Sequence, residues 1–393
     1  MLAGLCLAGG IALSALRAGA LTRSGALAAT VLGTVAVAAG WWWGVMLIAF
    51  FVNDMAREFP NYTTTVLAHQ AVQRGHRVCY ITPGDFAMLP DASMKIHARM
   101  APTTKHKSHT DFFKGLQAVG EKTTELVMSD VDVLWLRSDP SLDTQSAPWA
   151  ADAGILFGRE AVKRGVLVLN DPSSLSLAVN KMYFQSFPDA VRAETLITKN
   201  SADVKDFAKK HGGECILKPL QGSGGSGVFK VDKSNRSNLN QMIEAITRDG
   251  YVIAQAYVPA AAKGDIRMFM MNGHPLRIGK KYAALRRVSA EGDIRSNIHA
   301  GGKAVAVEIG DTELRVAELI RPKLIADGMF LVGIDIVGDK ILEANVFSPG
   351  NLRSCNTLAG VNFAEPIITS VERKVEIAKE FASAFDNKAL ATM

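Results

Sequence analysis

The first 52 residues contain no acidic residue, and Arg17 and Arg23 are their only charged side chains. Gly25–Val52 runs for 28 residues without a charge, longer than the roughly 20 that carry a helix across a bilayer. Two foldings satisfy such a run. One is a membrane helix with Trp41-Trp42-Trp43 at an interface. The other is a buried helix leading into a buried strand. No basic stretch precedes the apolar run, so a signal peptide does not fit. A strand must pair sideways to satisfy its backbone, so Leu47–Val52 cannot be both a bilayer span and part of a sheet. The strand reading leaves Gly25–Gly40 as a short Ala/Gly-rich helical stretch.

Beyond Asn53 the chain changes character. Strand patterns at Val45–Val52, Arg77–Ile81, Val131–Leu136 and Val166–Leu169 alternate with helical spacing at Thr63–Gly75 and about Ala151–Arg164. Polar or Gly/Pro clusters close the strands: Asn53-Asp54, Thr82-Pro83-Gly84, Asp139-Pro140 and Asn170-Asp171-Pro172. This alternation predicts a parallel sheet, with those clusters as candidate binding loops. Past residue 200 strand pairs take over, including an Asn272-Gly273 hairpin turn and a Phe330–Val346 hairpin bent at Gly338-Asp339. The 393 residues suffice for two or three domains. A net charge of +6, with no basic cluster longer than Lys105–Lys107, speaks against a nucleic-acid partner. Cys6, Cys79, Cys215 and Cys355 lie far apart and form no CxxC, as expected of reduced thiols.

Three constellations carry chemistry. The run Gly222-Ser223-Gly224-Gly225-Ser226-Gly227 lets successive backbone N–H groups converge on an anion, or serves as a flexible hairpin tip. Lys218 closes the preceding strand, within reach of phosphates under such a loop. In the hairpin, Glu343 and Asn345 are two apart and share a strand face. A three-residue turn would pair Asp335 with Glu343, whereas a two-residue turn would send Asp335 to the other face. Two carboxylates and an amide oxygen among apolar neighbours suit Mg²⁺ or Mn²⁺ better than zinc. The third set is basic: Lys181, Arg267, Arg286, Arg287 and Arg295. Phosphate cover, oxygen ligands and cations together are what phosphoryl transfer requires. No Ser-His-Asp or Cys-His arrangement stands out.

From Asn53 to about Val375 the chain resembles the ATP-grasp ligases, and within them the bacterial glutathione synthetases. The resemblance rests on ordered segments: Thr63-Thr64-Thr65, Arg74-Gly75-His76, Leu136-Arg137-Ser138-Asp139-Pro140, Asn180-Lys181, Leu217-Lys218-Pro219-Leu220 and Ala254-Gln255-Ala256-Tyr257. It continues through Gly264-Asp265-Ile266-Arg267, Arg295-Ser296-Asn297, Gly333-Ile334-Asp335, Glu343-Ala344-Asn345 and Ser348-Pro349. It implies an α/β, ATP-grasp fold with an N-terminal parallel-sheet domain (46–172), a lid (173–258) and a catalytic subdomain (259–375). An apolar helical segment (1–45) would precede these, and a helix end and tail (376–393) would follow.

The same resemblance implies roles. Lys181 and Lys218 would hold the ATP phosphates under the loop Gly222–Gly227, with Lys218 and Arg287 acting in catalysis. Gln255, Ala256, Tyr257 and Val258 would receive adenine, with Asp265 on the ribose side and Arg267 also at the nucleotide. Asp335, Glu343 and Asn345 would hold the metal, and Arg295, Asn297 and Ser348 would border the substrate. The implied reaction joins a γ-glutamyl dipeptide to an amino acid, with ATP as co-substrate, in a cytoplasmic, homo-oligomeric enzyme. Gly350-Asn351-Leu352-Arg353-Ser354 departs from the family by lacking the acid next to its arginine, which leaves room for another peptide or amino acid as substrate. Gly19–Ala26 with Gly40-Trp41-Trp42-Trp43 resembles an integral membrane family that includes prenyl-alcohol phosphate kinases. By that segment the chain would be a membrane-anchored lipid kinase or scaffold, with membrane contact through residues 1–45.

Overall fold

The structure, a computed structural model, describes residues 13, 14, 22, 24, 45–144, 146–222, 226–289, 301–381 and 384–393. The apolar helical segment expected over residues 1–45, Trp41–Trp43 included, lies almost wholly outside them. Among the described residues no helix is long and apolar enough to cross a membrane.

The end of the charge-free run is a strand. The first sheet holds β1 (Leu47–Phe51), β2 (Arg77–Ile81), β3 (Phe86–Met88), β4 (Met94–Met100), β5 (Thr124–Val127), β6 (Val133–Leu136) and β7 (Leu167–Leu169). Its order is β3-β4-β2-β1-β6-β7, with β5 on β4. All five residues of β1 are buried, because β2 and β6 flank it in parallel and both sheet faces are covered. Ile48 and Phe50 face one core with Val66, Leu67 and Phe112. Ala49 and Phe51 face the other, with Ile155 and Leu136. The parallel sheet read from the alternation is therefore only part of the answer. Strand β4 runs antiparallel to β2, β3 and β5, since the connection from β2 to β4 is taken up by β3 and holds no crossover α-helix.

The second sheet is antiparallel: β8 (Thr195–Thr198), β9 (Cys215–Pro219), β10 (Phe229–Val231) and β11 (Val252–Ala256), in the order β10-β9-β11-β8. The helices Ser201–Lys210 and Leu239–Thr247 cover it through Val204, Phe207, Leu239 and Ile243.

The third sheet begins with β12 (Asp265–Met271) and β13 (His274–Pro275), joined by an Asn272-Gly273 turn whose residues both have positive φ, as the sequence signal requires. A small ribbon of β14 (Arg277–Ile278) and β15 (Lys281–Tyr282) follows. The sheet is completed by β16 (Ala284–Val288), β17 (Lys303–Val305), β18 (Leu331–Val337) and β19 (Lys340–Asn345), in the order β17-β16-β12-β18-β19. Ile266, Met268, Ile334 and Ile336 pack one face against Val316, Ile320 and Leu324 of the helix Asp311–Ala326.

Asn170 ties the first sheet to the third. Its side chain donates to the carbonyls of Leu331 and Val346 and accepts from the Leu331 N–H at 3.0 Å. Asp171 caps Ser174 and accepts from Asn387. The Asn170-Asp171-Pro172 cluster is thus a buried joint between layers, not the open binding loop its place at a strand end suggests.

Candidate active site

The hairpin of β18 and β19 resolves the register left open by the sequence. Its turn has two residues, Gly338 and Asp339, between the paired Val337 and Lys340. A regular ladder from such a turn would place Leu342 opposite Asp335. A bulge at Leu342 restores the pairing of Asp335 with Glu343 and of Gly333 with Asn345. Both carboxylates and Asn345 therefore share one sheet face despite the two-residue turn.

Cross-strand register gathers further charges on that face. Asp265 pairs with Arg287 across β12 and β16, and Arg267 with Asp335 across β12 and β18. Arg267 grips Asp335 through Nε and, at 3.0 Å, through Nη2. Arg287 donates from Nε to Asp265 at 2.9 Å and its Nη2 lies 2.6 Å from Asp335. All four residues are buried. Burial alone would raise the Asp335 carboxyl, but Arg267 and Arg287 outweigh it and hold the group below its usual range. Burial likewise opposes the charge on Arg287, and Asp335 and Asp265 more than compensate, raising its pKa. Gly264 makes this close approach of β12 and β16 feasible. Its φ is +83°, and a Cβ there would lie 2.0 Å from the Arg287 carbonyl oxygen.

A cavity lies between the second and third sheets. Lys181, Lys218, Gly222, Gln255, Glu343, Asn345 and Ser348 line it, together with Asp139, Asn180, Phe184 and Thr195. The Lys181 ammonium donates to the Gly222 carbonyl, holding one end of the glycine loop. Lys218 donates to Gln255 Oε1 at 3.1 Å, and Gln255 donates in turn to Thr195 Oγ1. Burial lowers the Lys218 pKa to about 8, with Glu343 opposing and Lys181 adding to the shift. Burial lowers Lys181 too, against the pull of Glu343 and Asp139. Two ammonium groups therefore share the pocket with two carboxylates, Asp139 and Glu343, a mixed lining in which the lysines can meet phosphate oxygens.

Several expectations are corrected. Asp265 does not open toward a ribose, because its register partner Arg287 occupies it. Arg267 and Arg287 likewise face carboxylates and do not line the cavity. Of the segment expected at adenine, only Gln255 is a lining residue. The Ala256 N–H donates to the Glu194 carbonyl, the Tyr257 ring lies 4.3 Å under the Lys230 ammonium, and Val258 caps a short turn. Ser223, Gly224, Gly225, Arg295 and Asn297 lie outside the described residues; Ser226 and Gly227 are exposed beside them. Thr195 and Phe184 were missed. Neither residue type signals a site by itself, and only the fold brings them to Lys218.

The donor set fits a hard divalent cation in part. Among the described residues no three His, Cys, Asp or Glu side chains form a metal cluster. Glu343 and Asn345 reach the cavity, while both Asp335 oxygens meet guanidinium groups. The oxygen donors that reach the cavity, Glu343 and Asn345, are of the kind that suits a cation such as Mg²⁺.

Comparison with known proteins agrees with this arrangement. The N-terminal domain of prokaryotic glutathione synthetase matches residues 46–176, and the ATP-grasp domain of prokaryotic glutathione synthetase matches residues 180–360. A glutathione synthetase of Gloeobacter violaceus is 33% identical over 327 residues, covering 82% of this chain and 95% of that protein. One of Mesorhizobium japonicum is 34% identical over 315 residues, covering 79% and 93%. Among solved structures, D-cycloserine synthetase DcsG shares the fold with a TM-score of 0.56 at 14% identity, covering 84% of this chain and 99% of that one. With relatives matched over nearly their whole length, the chain belongs to the prokaryotic glutathione synthetase family.

Proposed function

We propose that the chain is an ATP-dependent carboxylate–amine ligase that joins γ-glutamylcysteine to glycine, a glutathione synthetase. The observation that carries this reading is the match to glutathione synthetases over almost their full length, with a lysine-lined cavity at the junction of their two domains. In the reaction, a carboxylate oxygen attacks the γ-phosphorus of ATP and the bond to ADP breaks, giving an acyl phosphate. The amine then attacks the acyl carbon, phosphate leaves, and the nitrogen gives up a proton.

Lys181 and Lys218 supply positive charge for the phosphates, and Gln255 fixes the Lys218 ammonium. Glu343 and Asn345 would hold the divalent ion, with Asp335 joining them by giving up a guanidinium contact; we assign the ion as Mg²⁺ from its oxygen donors, and bound there it would neutralise phosphate charge. Arg287 is oriented by Asp265 and lies against Asp335, which favours a role next to the transferring phosphoryl group. The substrates are small molecules, and dependence on ATP favours a cytoplasmic setting.

Phosphate release tests the reading, with ATP and Mg²⁺ and with γ-glutamyl dipeptides crossed against free amino acids. The expected outcome is turnover with γ-glutamylcysteine and glycine. Turnover only with another pair would move the substrate and leave the ligase chemistry, and no turnover with any pair would overturn both.

A further inference from the structure

Glu58 and Arg137 sit where the first sheet changes direction. From β1 the chain moves to β2 on one side and later returns to β6 on the other. The β1/β6 boundary is therefore the topological switch point, beyond whose strand ends ligands of open α/β sheets bind. Glu58 lies in the loop after β1, and Arg137 directly follows β6.

Both side chains are buried, with 8% and 3% exposure. Each acts electrostatically on the other, yet the two form no ion pair. Glu58 Oε2 is buried without a hydrogen-bond partner among the described residues, and burial pushes this carboxyl up to about 7 against the pull of Arg137. Arg137 donates from Nε to Thr64 Oγ1 at 3.4 Å and from Nη2 to the Pro349 carbonyl at 3.1 Å, which leaves its Nη1 without a hydrogen bond among the described residues. Pro349 follows Ser348 on the cavity wall. Opposite charges held near each other but unpaired, each with bonding capacity to spare, match a ligand that carries both an ammonium and a carboxylate.

We propose that Glu58 and Arg137 bind the free α-amino-acid head of the carboxylate substrate, Glu58 taking its ammonium and Arg137 its α-carboxylate. The assignment rests on the ligase reading above. The accepting amine must be uncharged and free to reach the acyl phosphate, so an ammonium held on Glu58 belongs to the other substrate. A γ-linked glutamyl group carries such a head, remote from the carboxyl that reacts.

Calorimetric binding of γ-glutamylcysteine and of N-glutarylcysteine, which lacks only the ammonium, tests this on the full chain. Wild type should bind the first about tenfold more tightly. Glu58→Gln should erase most of that difference by weakening only γ-glutamylcysteine, and Arg137→Lys should weaken both acids while ATP affinity stays within about twofold. Equal binding of the two acids by wild type needs no variant to interpret and would overturn the proposal. So would equal weakening of both acids by Glu58→Gln, or no binding of γ-glutamylcysteine. If the discrimination is present but glycine and ATP give no phosphate release, the reaction assigned above fails and the subsite stands.

Discussion

Among the carboxylates on the charged face, Glu343 is the one that opens on the cavity, and no described hydrogen bond ties it to the scaffold. Glu343→Gln should therefore lower kcat by about 10³ and shift the melting temperature by only a few degrees, because it removes charge that neutralises phosphate and little packing. A kcat near that of wild type at ordinary Mg²⁺ would remove Glu343 from the metal set. Lys218 should set a pH limit. Burial lowers its pKa to about 8, so its ammonium is present below that pH and lost as pH rises through it. The kcat/KM for ATP should then be level near pH 7 and fall above about 8, as the free enzyme deprotonates. Lys218→Arg should move that fall upward, whatever its absolute rate. Lys218, Glu343 and Asn345 were legible in the sequence because strand spacing fixes their side. The engagement of Asp265 by Arg287 was not, since it depends on a partner 22 residues away.

At the scale of elements, the β18–β19 hairpin shows what periodicity can and cannot give. Both strands and the turn at Gly338-Asp339 follow from alternation and turn chemistry. The bulge at Leu342 does not, because no residue type announces it, and it alone puts Asp335 beside Glu343. The antiparallel strands β3, β4 and β5 were similarly hidden, as their pairing is set by tertiary contact and not by composition. The β12–β16 contact offers a direct probe. Gly264→Ala would drive a Cβ to 2.0 Å from the Arg287 carbonyl oxygen at a φ of +83°. Strain and overpacking together should destabilise the protein by more than about 2 kcal/mol. Because the same shift displaces Arg287 from Asp265, kcat should fall further than the loss of folded protein explains. Denaturant midpoints and active-site titration separate the two effects, and a variant with unchanged midpoint would show that the strands can part freely.

For the whole molecule, the strongest constraint is where the charge-free run becomes sheet. Its last part is β1, hydrogen-bonded on both sides and fully buried, so Leu47–Phe51 belongs to the ligase core. The family match begins at residue 46, one residue before that strand. Among the described residues, the lining of the lysine-lined cavity starts at Asp139. A chain beginning at Val45 should accordingly fold, with kcat and KM within about twofold of the full chain, since β1, its two neighbours and both cores are retained. A chain beginning at Asn53 lacks the central strand. It leaves β2 and β6 without a partner between them and should fail to fold, because the missing backbone partners and the buried Ile48, Phe50 and Phe51 have no substitute. Thermal unfolding and phosphate release on the two chains, measured beside the full one with and without detergent, give the answer. If the chain from Val45 is folded but inactive while the full chain works in detergent, the first 44 residues serve the enzyme, and the boundary of the catalytic unit lies upstream of the sheet.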